Sequence, residues 1–361
     1  MNSLEFVFYP QKVSIYYDCF PKKKALTFYK RAYKIVAVAN QSHLRWRDFE
    51  CCNVFFERNG IFVKVKNKLL LILLAMLLGF TGCGVSKEDT DGKLTVYTSF
   101  YPMADFVSKV GGDRVKVVNM VPAGTEPHDW EPSAADIMRL EEAKVFVYNG
   151  AGLEHWVEDV LSALQNKELM VVEASKGIVL LERKEDDDHG HDHGAVDPHV
   201  WLDPRNVKIE AENIRDALIE ADAEGAEIYR ANFDRFAAEL DALDQDFRES
   251  LSAVPQKHIV VAHEAFSYLC AAYGLEQIGI EGLSPDSEPS PARMAEIIAF
   301  AKEYEIKTNF FEEQVSSKVA QTIADEIGAQ THVLSPFEGM DEGDYLTVMA
   351  RNLETLKEVL A

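Results

Sequence analysis

The chain has 361 residues, a formal net charge of −23 and a pI near 4.8. At 47% hydrophobic and 27% charged, its composition is globular rather than disordered, and its length suits two domains. The acidic excess argues against a nucleic-acid partner, because phosphate binding needs a concentrated basic surface. The charge is uneven: residues 1–82 hold 13 Lys+Arg against 5 Asp+Glu, a net +8, and the other 279 residues carry −31.

The basic first part contains Cys19, Cys51 and Cys52 in an irregular aromatic texture. It ends in KVKNK (64–68), the uncharged run LLLILLAMLLGF (69–80) and Thr81-Gly82-Cys83-Gly84. A basic segment, a short apolar segment and small residues before a cut make a secretory signal. Twelve apolar residues rise about 18 Å as a helix, short of the roughly 30 Å of a hydrocarbon core. A permanent transmembrane helix is therefore not expected. Cys83 resembles the cysteine of a bacterial lipoprotein box, which is lipidated and begins the mature chain; Phe80 stands where leucine is commonest. A signal belongs at a chain start. Residues 1–62 are thus expected to be a misassigned leader, with initiation near Val63 or Val65, residues 63–82 the signal peptide and 83–93 a polar tether.

Beyond the tether, β-type runs alternate with helical stretches, the pattern of an α/β fold. Strands are expected at 94–98, 115–121, 145–148 and 169–172, with helices at 102–111, 133–142 and 154–164. Residues 182–198 (ERKEDDDHGHDHGAVDP) break the alternation as a charged, His-rich loop. Pro204 then opens a helical region, 205–256. Within it Phe233, Phe236, Leu240, Leu243, Phe247, Leu251 and Val254 fall at steps of three and four, one stripe of a helix. A helix over 226–254 would be about 43 Å long, a strut rather than a linker. Alternation resumes with strands at 258–262, 275–280, 308–311 and 331–334 and helices at 264–273, 291–304, 316–327 and 344–360. The fold class is α/β: two lobes, each a small, mostly parallel sheet flanked by helices, joined by one long rigid helix. The boundaries are 94–204, 205–256 and 257–361. Cys270 sits in an apolar helical pattern and reads as a small buried hydrophobe.

Three of the ten histidines stand in distinctive settings. His128 lies in GTEPHDWEP after strand 115–121, His199 in DPHVWLDP, and His263 at the end of strand 258–262. Ligands of open α/β sheets bind beyond the carboxyl ends of strands, where His128 and His263 fall. Imidazole suits zinc and similar metals, and a ligating ring needs its second nitrogen held. Asp129, Asp197, Asp203 and Glu264 are candidates for that task. A tetrahedral site wants a fourth ligand. Position alone leaves Glu312, Glu313, Glu338 and water all open. His189, His191 and His193 form a separate HGHDH run, expected to capture metal more weakly because flexible side chains must be ordered on binding.

From about Leu94 onward the chain resembles the zinc/manganese cluster of metal-binding solute-binding proteins of bacterial ABC importers. The carriers are EPHDWEPS, DPHVWLDP, VVAHEAFSYL, EGLSPDSEPSPA and NFFEEQVSSKVAQTIADEIGA. The resemblance implies two α/β lobes on one rigid helix with the metal buried between them. It implies His128, His199 and His263 as metal ligands and favours Glu338 as the fourth, since some zinc-type members use a Glu in a Pro-x-Glu loop. Manganese-type members usually carry a carboxylate in place of the third histidine, so His263 points to Zn2+, with Mn2+ as the alternative. The implied partners are a membrane permease with a separate ATPase. The implied place is the outer face of the cell membrane (or the periplasm), with a lipid anchor on Cys83, as a monomer.

An enzyme and a surface adhesin are the alternatives from other classes. His263-Glu264 is followed by Ala-Phe-Ser, so HExxH is absent, and neither a P-loop nor GxSxG occurs. A zinc-dependent hydrolase therefore lacks a nominated nucleophile, and no motif marks an adhesin.

Overall fold

The computed structural model describes residues 92–182, 196–283, 289–312, 317–340 and 343–361, and the backbone of six strands between residues 2 and 65. Residues 1–88 and 89–361 are separate compact units. In the first, β1 (Asn2–Phe8), β2 (Gln11–Asp18), β5 (Asn53–Arg58) and β6 (Ile61–Val65) form an antiparallel sheet in the order β1-β2-β5-β6. A hairpin pairs β3 (Ala25–Tyr29) with β4 (Lys34–Val38). Sequence patterning did not anticipate these strands, although valine, isoleucine, tyrosine and phenylalanine are dense in them. The apolar run 69–80 and Cys83 lie outside the described residues. No helix among the described residues is long and apolar enough to cross a membrane.

The second unit consists of two lobes. The first runs β7 (Leu94–Thr98), α1 (Tyr101–Gly111), β8 (Val115–Asn119), α2 (Ala134–Leu140), β9 (Val145–Tyr148), α3 (Val157–Ala163) and β10 (Met170–Glu173). Its strands are all parallel, in the order β10-β9-β7-β8. The second lobe runs β11 (His258–Val261), α6 (Ser267–Tyr273), β12 (Glu276–Gly279), α7 (Pro291–Glu303), β13 (Thr308–Phe311), α8 (Ser317–Ile327), β14 (Gln330–Val333) and α9 (Tyr345–Leu360). Its strands are also parallel, in the order β12-β11-β13-β14. Numbered within each lobe, both sheets read 2-1-3-4. Each therefore reverses direction between its first and third strands, where α/β sheets open a binding crevice.

Local chemistry sets the element ends. Ser133 caps α2 in a capping box with Asp136, and Ser290 caps α7 ahead of Pro291. Gly274 ends α6 in the left-handed region at φ 70°, which a residue without Cβ adopts freely. The connector is α4 (Pro204–Ala221), capped by Asp203, followed by α5 (Ala226–Leu251). At 26 residues α5 is about 39 Å long. Its buried side chains include the expected stripe from Phe233 to Leu251; Val254 lies beyond the helix end, next to Pro255. The first half of α5 meets the first lobe: Asn232 donates to the Val110 carbonyl, and Phe236 lies 6.1 Å from Phe106. The second half meets the second lobe, with Phe247 stacked 4.9 Å from Tyr273, whose hydroxyl donates to Asp244. One apolar core runs through both lobes along this helix. Each fully buried aliphatic or aromatic side chain there contributes about 1.5–3 kcal/mol of transfer free energy.

Two helices start later than periodicity suggests. α3 begins at Val157 rather than 154, because Glu154 is used elsewhere. Its carboxylate accepts from the Asn149 and Gly150 amides and, at 2.6 Å, from the Ser99 hydroxyl. α6 begins at Ser267 because His263–Phe266 curl beyond the end of β11. Cys270 is buried in α6 as expected.

Candidate metal site

Each of the four converging side chains is delivered by a different loop. His128 follows β8 in a turn rich in proline, and Trp130, packed edge-on against Trp156 at 5.4 Å, pins that turn to the first lobe. His199 follows Pro198, whose carbonyl accepts from Asn149. His263 lies just beyond β11, and Glu338 lies in the loop between β14 and α9. All four are buried, His199 and His263 completely.

The atoms facing one another are the three Nε2 nitrogens and Glu338 Oε1. His128 and His199 are 3.2 Å apart, and His199 and His263 are 3.3 Å apart. Glu338 Oε1 is 3.5, 3.4 and 3.8 Å from His128, His199 and His263. All of these atoms lie within 4.8 Å of one another. A tetrahedral zinc with bonds of about 2.0–2.1 Å has ligand–ligand edges of about 3.3–3.4 Å; four edges here lie close to that value and the His263–Glu338 edge is longer, at 3.8 Å. Glu338 Oε1 has no hydrogen-bond partner, the expected condition of a carboxylate oxygen built to meet a cation.

Two rings are held from behind. His199 donates from Nδ1 to Asp197 at 2.8 Å, and its backbone N–H reaches the same oxygen. His263 donates from Nδ1 to Glu312 at 2.7 Å. These bonds hold a proton on each Nδ1, so that once any Nε2 proton has left, both Nε2 lone pairs face inward. Glu312 thus serves His263 and is not among the four converging ligand atoms. Glu313, His189, His191 and His193 lie outside the described residues. Of the other carboxylates expected to assist, Asp203 caps α4 and pairs with Arg205. Glu264 pairs with Arg293, and Asp129 is exposed. Glu126, two residues before His128, was not anticipated; its carboxylate accepts from the His128 backbone N–H at 3.2 Å.

The electrostatics follow from burial and crowding. Burial lowers the His128 pKa. It acts the same way on His199, but Asp197 and Glu338 outweigh it and raise that pKa. For His263, burial is outweighed mainly by Glu312, and the pKa is raised to about 10. Burial works to raise the Glu338 pKa, but the three imidazoles hold it well below the usual carboxylate range. Glu126 is pushed up to about 8 by burial and by Glu338. The raised pKa values favour protons on the His199 and His263 rings beside the ionised Glu338, positive charge that a divalent cation would replace.

The stems of the His-rich loop reach this centre. Glu182 and Val196 form an antiparallel bridge, and the Tyr268 hydroxyl accepts from Leu181 N–H while donating to the Asp197 carbonyl. The loop therefore leaves and returns beside the carboxylate that orients His199.

Residues 96–359 match the family model described as ZnuA, zinc-uptake complex component A, periplasmic. The high-affinity zinc uptake system protein ZnuA of Bacillus subtilis is 39% identical over 308 residues, covering 81% of this chain and 97% of that protein. The zinc-binding lipoprotein AdcA of Streptococcus pneumoniae is 38% identical over 304 residues, 81% of this chain. The chain spans only 60% of the length of that AdcA. The Zn(II)-bound ZnuA-like domain of Streptococcus pneumoniae AdcA superposes with a TM-score of 0.65 at 37% identity, covering 74% of this chain and 99% of that one. The laminin-binding adhesin Lmb of Streptococcus agalactiae, in a mutant form, gives 0.68 at 37% identity, covering 74% and 100%. A model match across most of the chain, with relatives of this identity, makes the chain a member of the ZnuA family.

Proposed function

We propose that this chain is an extracytoplasmic receptor that captures Zn2+ with high affinity and hands it to an ABC-type membrane permease driven by a separate ATPase. The ligands are His128, His199, His263 and Glu338. The observation that carries this reading is the near-tetrahedral set of 3.2–3.8 Å separations among four buried donor atoms. Three imidazoles and one carboxylate suit a borderline metal better than a hard one, so zinc is favoured over manganese. The zinc-binding and zinc-uptake names of the relatives support the same cargo.

The chemistry is capture. Zinc loses water and gains three neutral imidazoles and a carboxylate, and any ring proton on an Nε2 must leave first. Asp197 and Glu312 keep their two rings oriented throughout. No reacting atom or nucleophile is needed, and the chain acts as a receptor rather than an enzyme. Lipidation of Cys83 tethers it at the outer face of the membrane. His189, His191 and His193 collect metal in addition, a role supported by the described stems of their loop, which meet beside Asp197.

The deciding experiment is a competition titration of the purified chain with a chelating indicator, using Zn2+ and Mn2+ separately. One tight zinc site per chain, lost in His128→Ala, His199→Ala and His263→Ala, is the expected result. Unchanged affinity in all three rejects the site. Deleting 186–194 should lower total zinc stoichiometry and spare the tight site. Cys83→Ala should move the protein from the membrane fraction to the soluble one. The likeness to a laminin-binding adhesin favours adhesion as a second role, testable by the binding of this chain to immobilised laminin.

A further inference from the structure

Phe337, the residue before Glu338, is a bulky non-glycine residue at φ 61°, and it is completely buried. The left-handed region is disfavoured for such a side chain and persists only where the surroundings over-determine it. Here they do. The Phe337 ring lies 5.2 Å from Tyr101 and 6.5 Å from Phe106, both on α1 of the first lobe, and 5.4 Å from Tyr345 at the start of α9. Its N–H donates to Ser335 Oγ, and Ser335 is clasped through its backbone by Asn352. The Pro336 carbonyl accepts from the Trp201 indole at 2.7 Å. Further along the loop, the Tyr101 hydroxyl donates to the Gly343 carbonyl, and Lys109 pairs with Asp344.

Glu338 differs from His199 and His263 in how it is held. Those rings are oriented by a carboxylate on the far nitrogen, whereas Glu338 Oε1 has no hydrogen-bond donor. Its position is inherited from the backbone, and the backbone is fixed by the wedge of Phe337 against the other lobe.

We infer that Phe337 is a positioning residue for Glu338, and that α1 of the first lobe thereby holds in place the fourth ligand carried by the second. This rests on the proposed three-histidine, one-glutamate site. Its consequence is that a ligand carried by one lobe depends on the other lobe for its position, whereas His263 is oriented by Glu312 of its own lobe.

The test is a double-mutant cycle in the full chain, reading zinc affinity by chelator competition and the visible spectrum of the Co2+-loaded protein. Phe337→Ala should weaken zinc binding about 10-fold or more, the scale of lost ligand support. It should also shift the Co2+ spectrum in the direction of Glu338→Ala. Added to Glu338→Ala, it should cost nothing further. Phe337→Tyr should retain affinity, and Tyr101→Ala should show a smaller loss of the same kind. If Phe337→Ala fails to fold, Phe337→Leu carries the same cycle. Wild-type affinity in Phe337→Ala, or an equal loss repeated in the Glu338→Ala background, overturns the inference and leaves the ligand set standing. A Glu338→Ala chain with unchanged affinity and an unchanged Co2+ spectrum overturns the assignment of Glu338 itself.

Discussion

The two lobes share one sheet plan and use its crevice differently. In the second lobe the crevice between the first and third strands holds His263 and Glu312, joined by a 2.7 Å bond, and the ring's other nitrogen faces the metal site. In the first lobe the equivalent crevice holds Ser99, Asn149 and Glu154, and that glutamate is consumed by three donors of its own lobe. The first lobe supplies its proposed ligands from elsewhere: His128 from the turn after β8, and His199 from the segment after the His-rich loop. A buried glutamate at the switch point is thus a clamp in one lobe and a ligand's support in the other. What distinguishes them is whether an imidazole stands beside the carboxylate.

Breaking the comparison at the metal should have the largest effect. His263→Ala removes a proposed ligand and strands Glu312. Four-ligand zinc sites bind with about 10–16 kcal/mol in all, so the loss should be roughly 100-fold or more in affinity. His128→Ala should cost a similar amount despite its different origin; a negligible loss there would make the first lobe a bystander.

The glutamates come next. Glu312→Gln should weaken zinc binding about 10–100-fold, because the amide supports the imidazole less well. Glu154→Gln should leave zinc affinity unchanged and lower stability by about 1–3 kcal/mol, since an amide N–H₂ replaces an acceptor among fixed donors. Calorimetric titration and denaturant melts of both variants separate the two roles. Equal losses of zinc affinity would erase the distinction.

A smaller effect concerns protons. With a pKa raised to about 10 by Glu312, His263 is protonated at pH 7 without metal, so zinc must displace that proton. Affinity should therefore rise with pH and fall on acidification. Calorimetry in buffers of different ionisation enthalpy should show net proton release at pH 7. The release should diminish in Glu312→Gln, and a buffer-independent heat would contradict it.

The smallest effect lies at the junction between lobes. Asp105 on α1 accepts from the Tyr345 N–H, and burial pushes its carboxyl up to about 6 despite Lys109. A folded-state pKa above the unfolded value means the folded chain binds more protons between about pH 4 and 6, so this group weakens the fold as pH rises through 6. Asp105→Asn keeps an acceptor without the charge. It should stabilise the chain by about 1–3 kcal/mol at pH 7.5, with the gain shrinking at pH 5, as read from melting temperatures.

Much of this was legible from residue order. Strand–helix alternation located all eight strands of the two lobes, and the Phe233–Leu251 stripe marked the strut, because periodicity records burial directly. The three histidines stood out by their proline-framed or strand-end settings. The roles of acidic residues did not. Glu312 and Glu338 were both candidate ligands, and only the fold puts one behind His263 and the other in front of it. Glu264, adjacent to His263 in sequence, turns instead to Arg293. Glu154 reads as the first turn of a helix until its three donors are seen. Carboxylates serve as caps, clamps, orienters and ligands with the same side chain, so their task is set by contacts distant in sequence. The wedge at Phe337 belongs to the same class, since its partners on α1 are more than 200 residues away.

Trp201 carries one more consequence. Its indole is fully buried, 5.3 Å from His199 on one side, with its N–H bound to a carbonyl of the loop that carries Glu338. Indole emission responds to the loss of such a bond and to a protonated imidazole nearby. If the proposed site fills and empties, this indole would serve as the molecule's own optical gauge of it, read in real time without an attached dye.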